Sequence, residues 1–252
     1  MANRTDLIAS LGKGLRVLES FGADRPRQSI TDVAAITGLD RATARRCLLT
    51  LSELGYADYD GKFFTLTPRV LRLGTGALAA LPLPQIVQPW LDQLSEQIGQ
   101  SCSVAILDEI DILYVARAAQ RRVMSIGLMP GSRLPAHCTS LGRVLLAALP
   151  GTTAQEIVER SNLSPRTVHS RVTAEEVLAE IARVRTQGWA LVDQEVELGL
   201  RSLAVPVLDM RGRVVAALNC GMAAVPADPA ETVATVLPAL LKVQDGLRRV
   251  LR

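Results

Sequence analysis

Histidine is nearly missing from this chain: His137 and His169 are its only two imidazoles. His-rich metal sites and most histidine-based catalysis are therefore hard to build. Aromatic residues are 3% of the 252 positions, so any core must be aliphatic. The four cysteines (Cys47, Cys102, Cys138 and Cys220) stand far apart, with no Cys-x-x-Cys pair. They are expected as small buried hydrophobes in a reducing compartment, not as a disulfide frame or a metal cluster. No apolar run reaches the roughly 18 residues that a membrane-spanning helix needs. Met1–Ser10 has no charged-then-apolar export pattern. A cytoplasmic protein with no membrane partner is expected.

Signatures of catalysis are missing as well. There is no Gly-x-x-x-x-Gly-Lys-Ser/Thr loop, no Gly-x-Gly-x-x-Gly after a strand and no His-Glu-x-x-His. No Gly-x-Ser-x-Gly elbow surrounds Ser140. A triad of Ser140, His137 and an aspartate would have no signature for its orienting carboxylate or its oxyanion hole. His137 reads as a structural side chain or a ligand-facing donor, and His169 as a surface strand residue. No catalytic residue, cofactor or metal is expected.

Charge is present but unevenly placed. Residues 1–80 carry 11 Lys/Arg against 8 Asp/Glu, whereas residues 81–252 carry 17 of each. The positive excess is confined to the first third, as for a basic N-terminal module attached to a neutral domain.

Leu11, Leu15, Leu18 and Phe21 recur at three- and four-residue steps. That spacing predicts a helix over 10–21 with this stripe inward and Gly22 as its stop. Arg25-Pro26-Arg27 reads as a loop. Ser29 and Asp32 form a capping-box pair opening a short helix that Gly38 ends. Asp40 caps the next helix, which runs to about Leu54 with Ala44, Leu48, Leu51 and Leu54 inward. Asp60-Gly61, between strands 56–59 and 62–66, predicts a two-residue hairpin turn. Three helices and a hairpin make a winged helix-turn-helix. Arg41, Thr43, Arg45 and Arg46 fall near the start of the second paired helix, away from its apolar side. Arginine there can fork onto guanine O6 and N7, and threonine can reach a phosphate or a thymine methyl. Lys62 in the wing can meet the flanking backbone. A solvated basic face explains any one arginine alone; the caps, turn glycine and hairpin in register favour double-stranded operator DNA.

Residues 67–81 read as a linker helix, with Pro68 in its first turn and an apolar side suited to a dimer seam. Pro82 and Pro84 mark a joint. Helices follow at 86–98, 140–149, 153–160, 174–187 (capped by Thr173 with Glu176 and stopped by Gly188) and 230–251. Strands are predicted at 103–107, 112–117, 123–128, 189–192, 203–208 and 214–220. The fold class is α/β, more strictly α+β, with a largely antiparallel sheet. The domains are then 1–66, the linker 67–81, and 82–252. Cys138–Gly142 leads straight into a helix. Its free N–H groups can dock a carboxylate, or Thr139 and Ser140 can be ordinary caps.

Three N-terminal stretches carry a resemblance: Ser10–Phe21, Thr31–Leu39 and Leu66–Gly74. Downstream, Ile112–Arg117, Arg133–Ala136, Thr139–Arg143, Gly188–Glu195 and Gly199–Pro206 carry it further. Over nearly its whole length the chain resembles the IclR family of bacterial regulators. Asp40–Arg46 together with Thr139–Arg143 is similar to the branch controlling the protocatechuate and β-ketoadipate pathway. The resemblance implies a GAF-like effector domain, a homodimer or homotetramer, and a small organic acid effector, β-ketoadipate or an aromatic acid such as protocatechuate. Glyoxylate or another sugar acid is the alternative effector class, and a constitutive DNA-binding protein the alternative function. Effector contacts carried over from relatives fall on Ser140 and Leu141, the segment Asp193–Ser202, and Asn219. In this picture a carboxylate sits at the helix start near Ser140 and Leu141. Ser202 and Asn219 hold the far end, and Asp193 shapes the site. Met124, Met129, Leu134 and Leu191 are candidates for apolar walls. Arg133, Arg143 and Arg201 belong to shared motifs, either as pocket cations or as interior ion pairs.

Overall fold

Two side-chain caps and one left-handed glycine build the paired helices of the N-terminal region. The computed structural model of the chain describes residues 7–22, 25–74, 82–120, 127–224 and 228–252. It divides into two compact units, Met1–Ala80 and Leu81–Arg252. In the first, α1 is Ala9–Glu19, α2 Ile30–Thr37 and α3 Arg41–Glu53. Ser29 Oγ accepts from the Asp32 N–H at 3.3 Å, and the Asp32 carboxylate accepts from the Ser29 N–H at 2.8 Å. Gly38 ends α2 at φ 67°, where a side chain would be strained. Asp40 then caps α3 by accepting from the Thr43 N–H at 2.8 Å. Val17, Val33, Ala44, Leu48 and Phe64 form a fully buried core.

Three expectations change in this unit. On α1 it is Val17 that is buried, while Leu11 and Leu15 are 61% and 47% exposed. The small core meets α1 along one narrow line, and the rest of the stripe borders an apolar groove beside α3. The turn after β2 (Ala57–Tyr59) spans residues 60–63 before β3 (Phe64–Leu66). The Asp60 carboxylate accepts from the Lys62 and Phe63 N–H groups at 2.9 and 2.7 Å, which holds a longer loop than the two-residue turn. Arg27, expected in a loop, forms with Gln28 a short strand β1 pairing with β3. The buried Gln28 amide fixes it by donating to the Ser20 carbonyl at 2.9 Å. Residues 68–70 form a 3₁₀ turn and 71–74 are helical; the remainder of the expected linker helix lies outside the described residues.

The second unit opens with α4 (Pro82–Ile98). Pro82 and Pro84, expected as a joint, sit in its first turn, where a missing N–H costs nothing. Six strands follow: β4 (Ser101–Asp108), β5 (Asp111–Ala118), β6 (Arg133–Pro135), β7 (Ala190–Asp193), β8 (Leu200–Leu208) and β9 (Val214–Ala223). They form one antiparallel sheet in the order β6-β5-β4-β9-β8-β7. The expected strand 123–128 lies outside the described residues up to 126, and Gly127 and Leu128 are not strand. The neighbour of β5 is instead β6.

The sheet has two different faces because side chains alternate along each strand. Cys102, Val104, Leu218 and Cys220 point to α4 and to α8 (Pro229–Arg248). Each fully buried leucine there, such as Leu91 or Leu240, stabilises the fold by roughly 1.5–3 kcal/mol. Ala105, Ala204 and Ala217 face α5 (Ser140–Ala147), α6 (Gly151–Arg160) and α7 (Ala174–Gln187). Gly142 lets α5 start hard against the preceding turn: a Cβ there would lie 2.1 Å from the Ala136 carbonyl oxygen.

A β-bulge interrupts the pairing of β4 with β5. Val104 opposes Ala116, but Ala105 opposes Tyr114, so β5 holds one extra residue at Val115. Tyr114 and Arg117 consequently share a face, although three positions separate them.

Candidate DNA-binding surface and ligand cavity

Helix α3 presents three sides. Ala44, Leu48 and Leu51 enter the core, whereas Leu54, expected inward, is the helix's C-terminal cap and is 53% exposed. Arg41 and Arg45 are exposed. Thr43 and Arg46 lie on a third side, with Cys47 and Thr50, along the apolar groove shared with α1. Among the described residues, none of the three arginines is ion-paired. In the wing, Lys62 is exposed with its ammonium 5.1 Å from the centre of the Phe63 ring, and Arg27 covers the same ring at 4.3 Å. Arg27 also pairs with Asp60 at 2.5 Å. The two N–H donors and this guanidinium hold the Asp60 carboxyl well below the usual carboxylate range. The result is a capped helix end with free guanidinium groups and a cationic wing, which is what phosphate and base-edge contacts require.

The second unit contains a cavity of about 240 Å³ on the α5 side of its sheet. Its floor is polar because of strand register. Arg117 opposes Ser103, Ser103 opposes Asn219, and Ser101 and Ser202 both oppose Gly221. Its roof is the start of α5. Thr139 caps that helix by accepting from the Gly142 N–H at 3.1 Å, and Ser202 Oγ donates to Ser140 Oγ at 2.8 Å. Leu134, Val196 and Leu200 supply apolar wall. Among the described residues, Arg117 is the one charged side chain lining the cavity. Burial pushes the Tyr114 phenol up to about 12, so at neutral pH it remains a hydroxyl donor in the wall.

The expected site residues separate in space. Ser140, Ser202 and Asn219 come together around the cavity. The Leu141 side chain is fully buried in the α5–α7 core, leaving only its backbone near the helix start. Asp193 is not in the wall; both of its oxygens accept from Arg201, at 3.0 Å each. Leu134 lines the cavity, Leu191 packs against the α4–α8 core, Met129 is 63% exposed, and Met124 lies outside the described residues. Of the three motif arginines, Arg133 pairs with Asp108 and Asp111, Arg143 with Glu195, and Arg201 with Asp193. Arg117 and Tyr114 went unrecognised in the sequence, because strict alternation along β5 puts them on opposite faces. Only the bulge, which leaves no mark in the sequence, unites them.

His137 is buried, its carbonyl accepts from Arg143 Nε at 3.1 Å, and it does not line the cavity. Burial and, second, the Arg143 charge push its imidazole below the ordinary value, so it stays neutral. His169 is exposed in a turn rather than a strand. Cys102, Cys138 and Cys220 are buried thiols, and burial pushes the Cys138 thiol up to about 11. No cluster able to hold a metal occurs among the described residues. No helix of these residues is long and apolar enough to cross a membrane.

Residues 10–61 match the IclR helix-turn-helix domain, and residues 75–245 match the bacterial transcriptional regulator IclR C-terminal family. The chain belongs to the IclR family of bacterial transcriptional regulators. It is 45% identical over 215 residues to the Pca regulon regulatory protein of Pseudomonas putida, covering 85% of this chain and 74% of that one. A transcriptional regulator from Rhodococcus sp. RHA1 has a similar structure, with TM-score 0.77 and 41% identity over 97% of this chain and 98% of that one. The second unit is similar to a double mutant of the PobR inducer-binding domain from Acinetobacter, solved as a complex with 3-hydroxybenzoic acid. That likeness has TM-score 0.62 and 34% identity over 67% of this chain and 98% of that one. In this IclR-family chain the first unit is accordingly the DNA-binding half, and the cavity lies in the half that matches an inducer-binding domain.

Proposed function

We propose that this regulator controls genes of aromatic-acid catabolism, in the protocatechuate or β-ketoadipate pathway, in answer to an organic acid bound in the cavity. The observation that carries this reading is the cavity itself. It is a cavity beneath the α5 start whose floor brings Ser202, Asn219 and the Arg117 guanidinium together. The N–H groups of Ser140 and Leu141 at the helix start add donors suited to an acid or a carbonyl oxygen. The Pca regulator and the PobR complex favour an aromatic acid or its ring-opened product over a sugar acid. The chain works in the cytoplasm as a dimer on an inverted-repeat operator, since two-fold pairing doubles the few contacts of one winged module. Its output is operator occupancy, not turnover. The effector must favour one arrangement of the DNA heads, and DNA must then change effector affinity by the same factor.

Thermal unfolding of the full chain against protocatechuate, 4-hydroxybenzoate and β-ketoadipate tests this. A ligand of the folded state at 100 times its Kd adds about 2.7 kcal/mol of apparent stability. Asn219→Ala should weaken the active compound by about 1–3 kcal/mol, because a ligand group loses its partner. Ser140→Ala should cost little, since backbone donors survive it. No shift with any carboxylate would remove the effector half of the proposal.

A further inference from the structure

The Arg117 guanidinium is only partly engaged. Its Nη1 donates to Ser103 Oγ at 2.9 Å, whereas its Nε is buried without a hydrogen-bond partner. No carboxylate among the described residues lines the cavity. A buried donor left unpaired is costly, and on a cation more so. Arg117 lines the cavity, so an acceptor brought there from outside can engage its remaining donors.

We infer that Arg117 is the carboxylate anchor of the effector cavity, gripping the acid through Nε and Nη2 while the effector's other end meets the Ser140–Ser202 hydroxyl pair. This rests on the effector reading above and assigns the ligand's orientation within it. The guanidinium has two forked edges matching a carboxylate. Ser103 occupies Nη1, and Arg117 lines the cavity with its Nε still without a hydrogen-bond partner. Arg117, Ser103 and Asn219 stand in one row across β5, β4 and β9. Ser202, on β8, lies two strand spacings from β4 and two residues off that row, roughly 12 Å from Ser103 across the sheet. That gap takes one six-membered ring, or a chain of similar length, between two hydrogen bonds. The far end is neutral: Ser202 Oγ already donates to Ser140 Oγ. Such a pair suits a hydroxyl or oxo group. The orientation is opposite to the one expected from the helix start alone, where the Thr139 hydroxyl already satisfies the Gly142 N–H.

Calorimetry of the full chain with 4-hydroxybenzoate and its neutral isostere 4-hydroxybenzamide tests the anchor. The wild type should bind the acid at least on the order of tenfold more tightly than the amide. Arg117→Gln should weaken the acid by on the order of 10–100-fold and leave the amide within about twofold. Arg117→Lys, which keeps the charge and loses the fork, should fall between. Melting temperatures without ligand report whether each variant is folded. If Arg117→Gln is not, the Arg117→Lys loss and the wild-type acid-to-amide ratio decide. Equal acid binding by wild type and Arg117→Gln, or equal acid and amide binding by wild type, overturns the anchor and leaves the effector reading standing. If the wild type binds neither this acid nor protocatechuate nor β-ketoadipate, both are overturned.

Discussion

Replacing Glu195 by glutamine should unfold the second unit far more readily than its single lost charge implies. The Glu195 carboxylate accepts from Arg143 Nη1 and Nη2 at 2.7 and 2.6 Å, and both side chains are within 2% of complete burial. Arg171 adds a third donor at 2.5 Å from a position 33% exposed. Glu195→Gln leaves Arg143 charged in the interior, still hydrogen-bonded to the His137 carbonyl but without a counter-charge. Breaking such a pair from one side costs about 3–5 kcal/mol. With a urea slope of roughly 2–3 kcal/mol/M, the midpoint should fall by about 1–2.5 M. Trp90 and Trp189, the only two tryptophans, both lie in the second unit, so fluorescence reads its unfolding without the first. The loss should change little between about 0.1 and 1 M salt, because a buried pair is poorly screened. Arg171→Ala, at the more exposed end, should cost about 1 kcal/mol or less. Arg143→Met with Glu195→Leu should recover most of the loss, since an apolar replacement of both partners strands no charge. A cost below about 1 kcal/mol for Glu195→Gln, or a double variant no better than the single, would refute this reasoning.

On DNA, Arg41→Ala or Arg45→Ala should weaken specific operator binding by about 1–3 kcal/mol in gel-shift titrations. Lys62→Ala should weaken all duplexes alike and lower the salt slope by about one unit. Unchanged affinity in Arg41→Ala, Arg45→Ala and Arg46→Ala alike would end the assignment of α3 as the reading helix. At high pH the raised phenol of Tyr114, near 12 against about 10 when exposed, favours the neutral form in the folded state. Its contribution is therefore fully present below about pH 10 and lost as pH rises toward 12. The ultraviolet phenolate signal should contain a late step near pH 12 that Tyr114→Phe removes; phenolate formation complete by about pH 11 would contradict it.

Helix boundaries were legible where a cap fixed them. Ser29 with Asp32, Asp40, and Thr173 with Glu176 each accept or exchange the expected N–H bonds, and Gly38 and Gly188 end their helices at positive φ. Caps act over three or four residues, a range that sequence displays. Burial was less legible. The Leu11–Leu15 stripe has the period of an inward face, yet which part of an apolar side is covered depends on how wide the neighbouring core is. In the cavity, Ser202 and Asn219 could be placed by motif, because regular pairing of β8 with β9 keeps alternation intact there. Arg117 could not, because one bulged residue reverses the parity of everything beyond it. The motif arginines showed the opposite difficulty: their partners Asp108, Glu195 and Asp193 come beside them only in the folded chain.

The Arg143–Glu195 pair also bears on how such a protein diversifies. Thr167 and Ser170 donate to the Gln194 and Glu195 carbonyls at 2.6 and 2.7 Å, so the long connection between α6 and α7 hangs from the same point as the ion pair. Neither Arg143, Glu195 nor Arg171 touches the cavity, although Val196, the next residue along, is part of its wall. On the proposed function, stability and ligand choice are thus written in separate side chains one position apart. Drift at Val196, Leu200 or Ser202 can retune which acid is sensed while the scaffold's fixed point is left alone. A new inducer specificity is then reachable through single wall substitutions that leave the Arg143–Glu195 pair intact.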